Sequence, residues 1–125
     1  MLPHALLLAA GTGTRFGSNK LLALWRGRPL VSHSIAVITS LRDQGVVTGA
    51  TAVVRADDDA VAGLLRQAGI RLIMNPRSEL GLAHSLRLGL GALAGLDAPP
   101  EAALVFLADQ PSGPAEAAEE VVRAW

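Results

Sequence analysis

The chain has 125 residues, the size of one small domain; half of them are apolar and 18% are charged, which argues against a disordered chain and supports a packed core. Eleven basic side chains balance eleven acidic ones, so no cationic excess is present to neutralise a nucleic-acid backbone. Cysteine is absent, which excludes disulfides and thiolate metal sites and fits a reducing, cytoplasmic setting.

His4 to Ala10 is a continuous apolar run ending at Gly11, the pattern of a strand buried on both faces. It is short, lacks a basic leader and meets Gly11, Thr12 and Gly13 at once, so it reads as a strand and not as a signal peptide. No segment is long enough to cross a bilayer. Residues 11–19 form a Gly-rich loop. Val31, Ile35, Ile38 and Leu41 recur at helical spacing and predict a helix over Leu30 to Arg42. Gly49 to Arg55 reads as a second strand. Asp57, Asp58 and Asp59 open a helix to about Ala68, closed by Gly69, and their acidity suits the positive end of a helix. Arg71 to Met74 is a third strand, stopped by Asn75-Pro76. Leu82 to Leu93 is helical, with Leu82, Leu86, Leu90 and Leu93 along one face. After Pro99-Pro100, Ala102 to Ala108 is a fourth strand, followed by Asp109. Pro114 is expected to start a helix running to Trp125, with Val121 and Val122 on its apolar side.

Strands that alternate with helices predict one α/β domain over residues 1–125 with a parallel sheet. Ligands of such sheets bind at the carboxyl ends of the strands. Two chemically loaded segments fall there: the Gly-rich loop and Asp109.

The loop reads Leu8-Ala9-Ala10-Gly11-Thr12-Gly13-Thr14-Arg15-Phe16-Gly17-Ser18-Asn19-Lys20. Glycine lets the backbone approach a ligand closely, and successive N–H groups can then face phosphate oxygens. Arg15 offers a fork to two oxygens and Lys20 a point charge. The loop is not a Walker A motif, because Gly17 precedes Lys20 by three and Leu21 follows it. Nor is it a dinucleotide fingerprint, because Phe16 stands where the third Gly belongs. A plain strand-to-helix turn is the alternative. Asp109 after an apolar strand suits Mg²⁺, which prefers carboxylate, phosphate and water oxygens; a turn or cap role is the alternative. Gly81 to Leu86 opens the third helix, where N–H donors and the Ser85 hydroxyl can meet a ligand or simply cap the helix. His4, His33 and His84 are read as having no chemical role, and Asp57 to Asp59 as a solvated helix start.

Taken together the segments resemble the molybdenum-cofactor nucleotidyltransferases, the MobA-like and MocA-like NTP transferases. Leu8 to Lys20 match the family's opening loop. Gly27-Arg28-Pro29-Leu30, with His33 just after, match its second motif; Asn75-Pro76 with Gly81 to Leu86 match its third; Asp109-Gln110-Pro111 match its fourth. The resemblance implies a Rossmann-like three-layer sandwich with a mostly parallel sheet, of the nucleotide-diphospho-sugar transferase kind. It implies a reaction in which the terminal phosphate of molybdopterin attacks the α-phosphate of an NTP and pyrophosphate leaves. Leu8, Ala9, Ala10, Gly11, Gly13, Arg15 and Lys20 would bind the nucleotide with Asn75, Gly81 and Ser85 near the nucleoside. Arg15, Lys20 and Asp109 would be the catalytic set, Asp109 holding Mg²⁺. Ala9-Ala10-Gly11 resembles the cytidylyltransferase branch, so CTP is favoured over GTP. Contact with a recipient molybdoenzyme or maturation factor is a further implication.

Family members run on past the helix after Asp-Gln-Pro, so the fold is expected to be incomplete at its C-terminal end. That end would lack much of the acceptor site and leave apolar surface around Val121 and Trp125 for self-association. Two other readings stay open: a sugar-phosphate or isoprenoid nucleotidyltransferase, and a non-catalytic nucleotide-binding remnant.

Overall fold

The computed structural model describes residues 2–10, 20–108 and 120–123, with the backbone alone for Lys20 and for residues 120–123. In chain order come β1 (His4–Ala9), a short hairpin of β2 (Leu24–Trp25) and β3 (Arg28–Pro29), and α1 (Leu30–Asp43). They are followed by β4 (Ala50–Arg55), α2 (Asp59–Gln67), β5 (Arg71–Asn75), α3 (Leu82–Ala94), β6 (Ala102–Leu107) and β7 (Glu120–Arg123). The main sheet has the order β5-β4-β1-β6-β7. Its first four strands are mutually parallel, and β7 runs antiparallel to β6. Among the described residues, no helix is long and apolar enough to cross a membrane.

The apolar strands alternate their side chains between two cores. Ala5, Leu7 and Ala9 of β1 join Ala52 and Val54 of β4 against Val31 and Ile38 of α1 and Val61 and Leu65 of α2. Leu6, Leu8 and Ala10 join Val53 against Leu93 of α3. The result is three layers, with the central strand β1 buried along its whole length because both faces are covered. Gly89 lets α3 press onto the sheet: a Cβ there would lie 2.7 Å from Leu6 Cδ1. Asp58 caps α2 by accepting from the Val61 N–H, while Asp57 turns back to Arg55. Gly69, at φ +76°, ends that helix in the left-handed conformation that glycine tolerates.

The four parallel strands and three helices lie within a residue or so of their expected bounds. The expected helix from Pro114 to Trp125 is overturned over its described part: Glu120–Arg123 is a strand. Leu104 and Ala103 of β6 stand opposite Val121 and Val122. Pairing with the open edge of β6 outweighs the helix preference of the alanine- and glutamate-rich stretch before them. The β-branched valines favour that outcome.

Candidate active site at the carboxyl edge of the sheet

The register of the strands brings four exits to one edge. Ala9 stands beside Val54 and Leu8 beside Leu107. Arg55 stands beside Asn75. The Ala108 N–H donates to the Leu8 carbonyl at 3.1 Å, so the β6 exit closes against the β1 exit. Asp109 is the next residue along the chain; it lies outside the described residues, as do Gly11, Gly13 and Arg15.

Leu8, Ala9 and Ala10 point their side chains into the cores, so only their backbone is free to meet a ligand. Lys20 begins a 3-10 turn, Lys20–Leu22, anchored by buried Leu21. The chain then makes the β2–β3 hairpin, whose loop residues Arg26 (φ 52°) and Gly27 (φ 83°) both take positive φ. That is the requirement of a two-residue turn matched to strand twist. His33, read in the sequence as without a role, ties this hairpin to α1. Its Nε2–H donates to the Trp25 carbonyl at 2.7 Å, and Arg28 donates to its Nδ1 at 3.3 Å. Its ring meets Trp25 edge-on at 4.8 Å, and the Arg26 guanidinium lies over the Trp25 ring, 4.2 Å from its centre. The sequence signal for the hairpin was Arg26-Gly27, but strands of two residues are too short to show a period.

Asn75 and Ser85 do come together, and both are buried. The Asn75 Nδ2 donates to Ser85 Oγ at 2.9 Å, and its Oδ1 accepts from the Arg77 N–H at 2.9 Å. The Asn75 carbonyl accepts from the Ala56 N–H at 3.2 Å, linking the β5 exit to the β4 exit. Gly81, at φ 93°, makes the sharp entrance to α3. Sequence reasoning missed Arg55. Its Nη2 donates to Asp57 Oδ2 at 3.2 Å, and its buried Nε has no hydrogen-bond partner among the described residues. An open pocket of about 440 Å³ lies between the β4 exit, Arg55 to Asp57, and the β5 exit, where Asn75, Pro76, Ser78 and Glu79 line it. Arg77 holds Glu79 at 2.7 Å, and this hydrogen bond keeps the carboxyl below its ordinary range. Among the described residues, no group of three His, Asp or Glu side chains is placed to hold a metal ion. The described carboxylates of this pocket, Asp57 and Glu79, already face arginines.

A mostly parallel sheet covered by helices, with strand exits gathered beside a helix N-terminus, is the architecture of the nucleotide-binding α/β proteins. The chain belongs to the MobA-like NTP transferase domain family, whose pattern matches residues 5–125. It is 34% identical over 122 residues to the bifunctional protein GlmU of Anaeromyxobacter dehalogenans strain 2CP-C, covering 96% of this chain and 24% of that protein. A nucleotidyl transferase from Methanothermobacter thermautotroptrophicus shares the fold with a TM-score of 0.73 at 23% identity, over 91% of this chain and 54% of that one. The CTP:phosphocholine cytidylyltransferase of Streptococcus pneumoniae superposes with a TM-score of 0.65 at 25% identity, over 87% of this chain and 46% of that one. The chain thus spans about a quarter of the length of that curated relative and about half that of the solved structures. None of the three is named for the molybdenum cofactor.

Proposed function

We propose that this chain binds the nucleotide of a nucleotidyltransferase that moves a nucleotidyl group, CMP for preference, from an NTP to a phosphorylated acceptor. An acceptor phosphate oxygen forms a bond to the α-phosphorus, the bond from that phosphorus to the β-phosphate oxygen breaks, and pyrophosphate leaves. The observation that carries this reading is the row of strand exits at the carboxyl edge, held against the start of α3 by the Asn75–Ser85 bond. Gly11 and Gly13 supply backbone N–H donors, and Arg15 and Lys20 neutralise the triphosphate. Catalysis is then positioning and charge stabilisation. Asp109, directly after the β6 exit, has the oxygen chemistry to hold Mg²⁺. A bound divalent ion would supply charge neutralisation on the phosphates.

A small phosphorylated alcohol is the acceptor class preferred, because a structural relative at 25% identity is named for phosphocholine. Molybdopterin is the second reading, favoured by the order of the four motifs from Leu8 to Pro111. The experiment is a calorimetric titration of CTP with Mg²⁺, followed by pyrophosphate release with phosphocholine, a hexose 1-phosphate and molybdopterin. Wild type is expected to bind CTP, and Lys20→Ala to weaken it by about 10- to 100-fold, the range of a lost charge-assisted contact. Unchanged CTP affinity in Lys20→Ala would reduce the loop to a turn. Pyrophosphate release with molybdopterin alone would select the second acceptor.

A further inference from the structure

Polar side chains at the carboxyl edge fall into two kinds. Asn75 has both ends of its amide engaged by the protein, Nδ2 by Ser85 and Oδ1 by the Arg77 N–H. It sets the β5 exit against α3. Arg55, its neighbour across the sheet, is the opposite case. Its Nε is buried without a hydrogen-bond partner among the described residues, and only Nη2 meets a carboxylate. A guanidinium has five N–H donors, and donors left unmatched at a part-buried position are costly unless an acceptor arrives.

That side chain lines the pocket of about 440 Å³, a volume suited to a small ligand group. The pocket opens one and two strands away from the β1 exit, in the order β1-β4-β5. At about 4.8 Å per strand, a phosphate chain at the β1 exit would place its nucleoside over the pocket. The rim adds the Asp57 and Glu79 carboxylates and Ser78.

We infer that Arg55 is the specificity-determining residue of this pocket and that the ring it selects is cytosine. The inference rests on the nucleotidyltransferase reading above. Cytosine presents two adjacent acceptors, O2 and N3, which a guanidinium fork can match, and an exocyclic amine that a carboxylate accepts. Uracil has the same outline but places an N3–H toward the guanidinium and a carbonyl toward the carboxylates. The pocket therefore discriminates by charge pattern and not by size.

The test titrates wild type and Arg55→Met with CTP, UTP, GTP and inorganic triphosphate, all with Mg²⁺. Wild type is expected to bind CTP about 10-fold or more tighter than UTP, and Arg55→Met to bring the two within about two-fold. Affinity for inorganic triphosphate, which has no ring, should not change. Arg55→Lys keeps the charge and stem but not the fork; it should lose the same discrimination at an unchanged melting temperature. Discrimination retained in either folded variant overturns the assignment of Arg55. A wild type that binds inorganic triphosphate yet prefers UTP or GTP overturns the choice of cytosine. A wild type that binds none of the four overturns the functional reading on which both rest.

Discussion

The α3 side of the sheet has polar groups at both ends, and the two ends are built differently. At the amino end, His4 is buried with Nε2 2.9 Å from Thr51 Oγ1 and Nδ1 3.4 Å from Thr48 Oγ1, so both ring nitrogens are matched within the protein. At the carboxyl end, Asn75 is matched in the same closed way, but Arg55 beside it is not. Closed polar groups fix the position of elements; an incompletely matched one is where a ligand has something to gain. The contrast separates scaffold from site on one surface without reference to sequence motifs.

The largest effect should come from opening the closed group at the carboxyl end. Asn75→Ala leaves the Ser85 hydroxyl and the Arg77 N–H without their partner, at a cost of about 2–4 kcal/mol for two part-buried groups. Urea unfolding measures it, and a loss below 1 kcal/mol would mean water replaces the amide with ease. Gly89→Ala tests what both ends share, the close seat of α3. The new Cβ would stand 2.7 Å from Cδ1 of fully buried Leu6. The crowding should outweigh the helix-propensity gain by about 1 kcal/mol. A stabilised variant would show that Leu6 has room to turn.

The smallest effect belongs to the amino end and depends on pH. Burial, and then the positive charge of Arg71, lower the His4 pKa from its ordinary 6.5. The native state therefore holds a neutral ring, and below pH 6.5 the unfolded chain binds the extra proton more readily. The stability tied to His4 is complete above pH 6.5 and declines as the pH falls from there through the lowered pKa. Denaturation midpoints at pH 8, 6 and 5 should fall for wild type and fall less for His4→Gln. Parallel declines would remove His4 as the cause.

The four parallel strands and three helices could be read from sequence because each is an apolar or helically spaced run, and some are closed by glycine, proline or asparagine, as at Asn75-Pro76 and Gly69. β7 could not: four residues carry no period, and the strand exists through its pairing with β6. The site was legible only in part. Asn75, Gly81 and Ser85 stood out as a spaced group, and the structure does join Asn75 to Ser85. That the two engage each other is a matter of distance across the fold, which spacing along the chain does not show. Arg55 drew no attention because an arginine ending a strand is ordinary; its neighbours come from β5, twenty residues on. The roles of Arg15, Lys20 and Asp109 rest on the loop motif and on family likeness.

The β2–β3 hairpin makes the protein its own optical reporter. The chain has two tryptophans and no tyrosine, so its near-ultraviolet emission is simple to assign. Trp25 touches both the Arg26 guanidinium and the His33 ring, just ahead of α1 and a few residues after Lys20. Fluorescence from that indole senses both contacts. With Trp125 replaced by phenylalanine, a single indole would follow the hairpin in real time while nucleotide is added, with no label attached.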